Sequence, residues 1–187
     1  MIRAFFAIDL DDRSRAAAGD LLAALRGSPG GDGVRWVRPE ALHVTLRFLG
    51  NIEPEQVAEL SRAVGAEAAG QEPFALVLGA ARLFPSPRRP RVVALEVGPE
   101  AQLSGLAAAV ECGTAACGFE SEDRPFRAHL TLGRVKQGRG PATQGLRVPE
   151  GTTSPVGDVV LFRSELERSG ASYTPLERME LGGSVHP

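Results

Sequence analysis

Two copies of one tetrapeptide, His-x-Thr-Leu, occur in the chain, at 43–46 and at 129–132. The 187 residues include only three histidines, so two of them preceding x-Thr-Leu by chance has odds of roughly 10⁻⁴ or less. In each copy polar and apolar residues alternate, as in a half-buried strand, so His and Thr share one face. Since a strand rises roughly 3.3 Å per residue, the two side chains lie about 7 Å apart. The third histidine, His186, is interpreted as part of a C-terminal tail.

Two imidazoles that face one cleft are suited to acid–base catalysis of a displacement at phosphorus. One of His43 and His129 would take a proton from the attacking oxygen while the other protonates the departing oxygen. This chemistry predicts a bell-shaped pH–rate profile. The hydroxyls of Thr45 and Thr131 can donate to the non-bridging phosphate oxygens. Arg134, just past the second motif, can add a charge-assisted bond.

Two other interpretations of the histidines are weaker. A lone histidine on a strand is commonly a half-buried residue bonded to a neighbouring carbonyl, but the recurrence of the motif argues against that. A metal site would need a third and a fourth protein ligand, and no carboxylate occupies a matching strand position. We therefore expect neither a metal nor another cofactor.

Residues near the motifs predict what surrounds them. Continued alternation puts Arg47 on the face of the first motif's polar pair and Phe48 in the core. Trp36 and Phe84 are candidate base-stacking surfaces or core residues. Two basic clusters would hold a polynucleotide backbone if they rim the cleft. Their members are Arg88, Arg89, Arg91, Arg124, Arg127, Arg134, Lys136 and Arg139.

The order of elements predicts a mixed α+β chain with a rough internal duplication. Besides the two motif strands, hydrophobic patterning and breakers indicate strands at 2–10, 34–37, 74–84, 91–97, 159–166 and 173–181, and helices at 16–25, 54–69 and 103–117. The Gly- and Pro-rich stretch 138–157 is expected to be a long loop. Two lobes, each contributing one histidine strand, is the simplest arrangement.

Composition narrows the class of protein. With 43% apolar and 24% charged residues the chain can bury a substantial core. The apolar run near residue 5 is too short for a signal peptide or a membrane span, so a cytoplasmic protein without membrane contact is expected. The net charge of −2 argues against a broad basic face that coats nucleic acid. Cys112 and Cys117 match neither a redox pair nor a zinc site and are expected to be reduced.

Four stretches of the chain carry a resemblance to a known family. They are Phe-Phe-Ala-Ile at 5–8, the first motif with its flanks at 36–50, the second motif with its flanks at 126–134, and Ser-Glu-Leu at 164–166 followed by Tyr173. In sequence and in order they resemble the RNA 2′,3′-cyclic phosphodiesterases, once called 2′-5′ RNA ligases, of the two-histidine phosphoesterase superfamily.

The resemblance implies a single bilobal domain over residues 1–187, in which two antiparallel sheets flank a central cleft and helices lie outside. It implies hydrolysis of a terminal 2′,3′-cyclic phosphate of RNA to a 2′-phosphate, with His43 as proton donor and His129 as proton acceptor, and a monomeric enzyme. The reverse reaction, 2′-5′ ligation, is a further expectation. Two alternatives stay open, namely the same chemistry on small cyclic nucleotides and a non-catalytic RNA-binding module.

Overall fold

The computed structural model describes residues 1–136, 138–167 and 170–182, so His186 lies outside the described residues. The described strands are β1 (Ile2–Asp9), β2 (Val34–Trp36), β3 (His43–Ile52), β4 (Phe74–Phe84), β5 (Val92–Gly98), β6 (Leu130–Val135), β7 (Thr153–Val156), β8 (Asp158–Glu167) and β9 (Gly170–Glu180). The helices are α1 (Asp12–Arg26), α2 (Gln56–Ala68) and α3 (Glu100–Ala116), with 3₁₀ turns at Gly31–Gly33 and Pro39–Ala41.

Capping determines where α1 begins. Asp11 adopts an extended backbone, and its carboxylate accepts a hydrogen bond of 2.9 Å from the amide of Ser14. The helix therefore starts four residues before the first apolar position of its periodic stretch, and it ends at Gly27. No helix in the described part of the chain is long and apolar enough to cross a membrane.

The strands form one antiparallel sheet in the order β7-β4-β5-β6-β3-β1-β8-β9, with β2 added to β6. The two motif strands, β3 and β6, are neighbours at its centre, where Val44 pairs with Leu130. The two expected sheets therefore meet at this pair, and the predicted α+β class is confirmed. Val44 and Leu130 are the second residues of the two motifs, so the pairing relates the motifs by an approximate two-fold axis.

The two faces of the sheet have different cores. The large core lies between the sheet and the helices and includes Phe6 and Ile8 of β1 together with leucines of all three helices. The opposite face carries a small cluster of Phe5, Ala7, Val160 and Phe162, against which Tyr173 packs. Because β1 is covered on both faces, its residues read as a continuous apolar run rather than an alternating one.

Both motif strands contain an irregularity directly after their threonine. On β3 the register against β1 skips Leu46, and on β6 the register against β5 skips Leu132. A bulge of this kind inserts one extra residue into a strand, so the alternation of faces shifts by one residue beyond it. The shared position of the bulge extends the duplication from sequence to backbone geometry.

The bulge on β3 overturns two expectations about the residues that follow the first motif. Arg47 is not beside the polar pair but is buried on the helix side, at 5% exposure, where it forms an ion pair with Glu111 and donates to the carbonyl of Glu120. Phe48 is not in the core but is 53% exposed on the opposite face. Simple alternation failed because one extra residue sits between the threonine and Arg47.

A second correction concerns the stretch 138–157, which was expected to be a loop throughout. Its residues Thr153–Val156 form β7, which pairs with the start of β4 and places Pro155 opposite Ala75. An edge strand tolerates proline because its outer backbone groups need no partner. The hydroxyl of the buried Ser154 accepts a bond of 2.9 Å from the amide of Asp11, which ties β7 to the start of α1.

Candidate active site

Pairing of the motif strands brings the four predicted polar side chains together. Antiparallel continuation of the Val44–Leu130 pair sets His43 opposite Thr131 and Thr45 opposite His129. Side chains at directly opposite positions have Cβ atoms about 4.5–5.5 Å apart. Because Val44 and Leu130 are buried in the large core, these four side chains point to the other face of the sheet. The two histidines therefore belong to one site.

The same contact orients both imidazole rings. Nδ1 of His43 lies 2.8 Å from the carbonyl oxygen of Ala41, and Nδ1 of His129 lies 2.8 Å from that of Arg127. A carbonyl oxygen can only accept, so each Nδ1 carries a proton and donates. In the neutral ring the other nitrogen, Nε2, is then unprotonated. Each ring thus offers Nε2 as the nitrogen that can exchange a proton with a substrate.

Thr45 contacts the reactive nitrogen of its own motif. Its Oγ1 lies 3.0 Å from Nε2 of His43, so the hydroxyl donates to the neutral ring and accepts from the protonated ring. When His43 is protonated, the hydroxyl hydrogen is free to bond another acceptor, such as a phosphate oxygen. Thr131 is half-buried opposite Ala94 on β5.

A cavity of about 520 Å³ lies on the face of the sheet that carries the histidines. Phe5 and Tyr173 line it, and their rings are 4.8 and 5.0 Å from the imidazole of His43. Its other aromatic walls are Trp36 and the exposed Phe48. Its basic residues are Arg3, Arg35, Arg38 and Arg134. Among the side chains that the structure describes, none of these arginines has a carboxylate within ion-pair distance.

Most of the arginines that line this cavity are not members of the basic clusters predicted from the sequence. Of those clusters only Arg134 lines it, and the other three arginines come from β1, β2 and the segment after β2. Arg35 could have been found from the sequence, because it alternates with Val34 and Trp36 just before the first motif. Arg3 could not, since its place depends on pairing of β1 with the distant β8.

Aromatic residues near the site occupy two different environments. Trp36, expected to stack on bases or to pack in the core, is half-buried, and its Nε1 donates to the carbonyl of Gly31 at 2.8 Å. Phe84 packs on the other motif, with its ring 5.9 Å from that of His129. Trp36 can reach this position because Gly133 has no side chain; a Cβ there would be 3.0 Å from the indole.

Comparison with known proteins supplies the family. The family model described as LigT like Phosphoesterase matches residues 8–94 and 95–173. The chain belongs to this family. The RNA 2′,3′-cyclic phosphodiesterase of Methanothermobacter thermautotrophicus is 34% identical, over 96% of this chain and 99% of its own. That of Thermus thermophilus is 36% identical, over 97% of this chain and 91% of its own. A crystal structure of Escherichia coli LigT complexed with 3′-AMP has a TM-score of 0.78 at 30% identity, over 97% of this chain and 98% of that chain.

The two halves of this LigT-like phosphoesterase surround their histidines differently. His43 lies among the rings of Phe5, Phe162 and Tyr173. Burial lowers its pKa below the ordinary value of 6.5, although the bond to Ala41 and the nearby charge of Asp9 act in the opposite direction. His129 is half-buried, and the ring packed against it is that of Phe84.

His43 also borders a second, smaller cavity. This cavity, of about 350 Å³, is lined by His43, Phe162 and Pro175 and by the charged residues Asp9, Asp12, Arg15 and Glu40. Ala41 and Tyr173 line both cavities, so the residues around the first histidine form the wall between them. The basic side chains are thus concentrated in the larger cavity and the acidic ones in the smaller.

Proposed function

We propose that this protein hydrolyses 2′,3′-cyclic phosphate ends of RNA to 2′-phosphates by acid–base catalysis with His43 and His129. The observation that carries the proposal is the pairing of two histidine–threonine strands, in which both rings are oriented by the same Nδ1 contact with a backbone carbonyl. The curated relatives in the same family are named for this activity.

The reaction needs one proton taken up and one given. Nε2 of His129 accepts a proton from water as the water oxygen attacks phosphorus. Nε2–H of His43 donates a proton to O3′ as the bond between phosphorus and O3′ breaks. The products are a 2′-phosphate and a 3′-hydroxyl, and each histidine returns to its first state by exchange with solvent. The hydroxyls of Thr45 and Thr131, with Arg134, would stabilise the charge that develops on the phosphate oxygens.

The donor role requires the protonated form of His43. Burial lowers the pKa of this imidazole, so at neutral pH the free protein holds it mainly in the neutral form. A phosphate anion beside Nε2 favours the protonated ring, so we expect protonation to accompany substrate binding. The two rings share the same Nδ1 contact, so the direction of proton transfer rests on the family resemblance rather than on this geometry.

The larger cavity favours an RNA strand over a small nucleotide as substrate. Arg134 follows the second motif, but Arg3, Arg35 and Arg38 line the cavity as well. One cyclic phosphate carries a single negative charge and does not neutralise four guanidinium groups. The phosphates of preceding nucleotides would supply the remaining charge. Exposed aromatic surface on Phe48, also in the cavity, can stack on a base.

Two further features of the proposal concern the setting of the enzyme. We propose a monomer, since both histidine strands come from one chain and pair with each other. We propose the cytoplasm, since Cys112 and Cys117 are both free thiols, as in a reducing compartment.

The test uses RNA that ends in a 2′,3′-cyclic phosphate, with the products separated and identified. We expect a 2′-phosphate, a rate unaffected by chelator, and a loss of at least about 100-fold in either His43→Ala or His129→Ala. Arg82→Ala, in an exposed ion pair with Glu96, is the control variant and should keep full activity. A 3′-phosphate product would show that O2′, and not O3′, is the leaving oxygen. Turnover that is unchanged in both histidine variants would refute the assignment of His43 and His129, and RNA binding without turnover in the wild type would indicate a non-catalytic RNA-binding module.

A further inference from the structure

Arg15 makes an unusual number of contacts for a residue on the first turns of a helix. Its Nη1 donates to the carbonyl oxygens of Pro39, Glu40 and Leu42, each at 3.1 Å. Its Nη2 donates to the carbonyl of Leu10 at 3.0 Å and to Oδ1 of Asp9 at 2.6 Å. The side chain is 18% exposed. One guanidinium thus joins β1, α1 and the 3₁₀ turn that precedes the first motif.

The carbonyl that Arg15 leaves free is the one that orients His43. Of the four carbonyl oxygens from residue 39 to residue 42, Arg15 bonds those of 39, 40 and 42. The remaining one, on Ala41, accepts the proton of His43 Nδ1 at 2.8 Å. Holding the neighbouring carbonyls fixes the direction of the Ala41 peptide. The Ala41 peptide in turn fixes the ring plane and the tautomer of His43.

Asp9 completes the arrangement from the adjacent strand. It is the register partner of His43 on β1. Its Oδ1 accepts from Arg15, and its Oδ2 accepts from Arg178 at 2.9 Å. The carboxylate is therefore held on both sides and cannot follow the guanidinium if the turn moves. A planar guanidinium with its donors in a fixed fork suits this task better than a lysine does.

We propose that Arg15, held by Asp9, is a positioning residue for His43 that keeps Nδ1 protonated and aims Nε2 at the substrate. The inference deepens the proposed function, because it assigns to Arg15 the orientation of one of its two acid–base groups. Neither Arg15 nor Asp9 touches the reacting atoms in this arrangement. Their effect on the orientation of the ring passes through the Ala41 carbonyl, whereas their charges act on the pKa of His43 directly and in opposite directions.

The second histidine has no equivalent support in the described structure. Nδ1 of His129 donates to the carbonyl of Arg127, as expected from the duplicated motif. Within the described residues, however, no side chain donates to the backbone carbonyls of residues 125–128. In the part of the chain that the structure describes, guanidinium support of this kind is thus found on the His43 side and not on the His129 side. Loss of Arg15 should change the behaviour of His43 and leave that of His129 unchanged.

The test compares Arg15→Gln with Arg13→Gln, which removes the same charge from an exposed position on the same helix. We expect Arg15→Gln to lower kcat about 10- to 100-fold, as misplacement of a catalytic group does, with KM changed less than about twofold. We expect the ¹⁵N shifts of the His43 ring to show less Nδ1–H tautomer, while those of His129 stay the same. Arg13→Gln should match the wild type in both measurements.

Two further variants keep the proposal falsifiable if Arg15→Gln does not fold. Arg15→Lys keeps the positive charge but loses the planar set of guanidinium donors, and Asp9→Asn keeps a hydrogen-bond acceptor but loses the negative charge. Each should change the ¹⁵N shifts of the His43 ring in the same direction as Arg15→Gln, but by less. Unchanged His43 shifts and unchanged kcat in a folded Arg15 variant would overturn the proposal. Because the ring shifts are read without substrate, they test positioning even if the His43→Ala variant shows that the proposed activity is wrong.

Discussion

The four arginines of the larger cavity predict how strongly RNA binding depends on salt. The perturbation is the single substitution Arg35→Ala, made at an exposed side chain on β2 whose removal leaves no buried gap. If all four guanidinium groups contact phosphates, binding neutralises about four phosphate charges and releases the counterions condensed on them. The variant neutralises one phosphate fewer. A mononucleotide has one phosphate and can therefore neutralise only one phosphate charge when it binds.

The magnitude follows from the slope of affinity against salt. For single strands the logarithm of the binding constant falls by about 0.7 per phosphate contact for each tenfold rise in salt. Four contacts give a slope of about −2.8, so raising salt from about 50 to 200 mM weakens binding roughly 50-fold. Three contacts give about −2.1 and a loss of roughly 18-fold. A 2′,3′-cyclic mononucleotide should give a slope of only about −0.7.

Fluorescence anisotropy on a short RNA that already carries the 2′-phosphate measures these slopes without turnover. Arg82→Ala, whose side chain pairs with Glu96 and does not line the cavity, should leave the slope unchanged. A wild-type slope for RNA no steeper than about −0.7, the value of a single contact, would refute binding of several phosphates by the four arginines. Equal slopes for Arg35→Ala and the wild type would refute the contribution of Arg35.

Three further predictions concern stability. Because burial lowers the pKa of His43, the unfolded chain binds this proton more readily, so the free energy of unfolding should fall as pH drops through 6.5. His43→Gln should flatten that dependence in urea melts between about pH 7 and 5; an equal slope would contradict it. Glu111→Gln removes the ion-pair partner of the buried Arg47 and should cost about 3 kcal/mol of unfolding free energy, at the low end for buried pairs because the carboxylate is partly exposed and Glu122 lies nearby. A cost under about 1 kcal/mol would show that the pair contributes little to stability. Gly133→Ala places a Cβ 2.5 Å from a valine methyl and should cost about 1–3 kcal/mol, whereas Gly157→Ala meets no atom within 4 Å; equal thermal shifts would contradict the packing argument.

Local patterns predicted most of the elements of this fold. Helical periodicity and turn residues gave all three helices to within four residues at each end, and β4 was predicted at its observed bounds. What local patterns could not supply is pairing between distant strands. The return of β8 and β9 to the half that holds His43 depends on contacts with β1 across the length of the chain. The edge strand β7 was missed because Pro155 disfavours a strand unless one side is unpaired.

The sequence predicted which side chains come together at the candidate site but not what surrounds them. The motif was sufficient to select both histidines and both threonines, because their spacing is a local property. The bulge on β3 was not predictable, because it is defined by the register of β3 against the distant strand β1. It exchanged the expected positions of Arg47, which is buried on the helix side, and Phe48, which is exposed on the opposite face. Three of the four cavity arginines, Arg3, Arg35 and Arg38, were also missed. Each lies far in sequence from the second motif, where the basic residues are densest.

Differences between the two halves lead to a prediction about pH. The motif supplies what the histidines share, a donating Nδ1 and an Nε2 free to exchange a proton. Among the described residues, the cluster of Phe5, Phe162 and Tyr173 and the contacts of Arg15 surround His43, whereas one ring, that of Phe84, packs on His129. Burial keeps His43 mostly neutral in the free protein, and a bound phosphate should restore its proton. The pH profile of kcat/KM reports the ionisations of the histidine pair in the free protein, and that of kcat reports them in the complex. If a bound phosphate restores the proton of His43, the alkaline limb of kcat should lie at higher pH than that of kcat/KM. Coincident limbs would contradict protonation of His43 on binding.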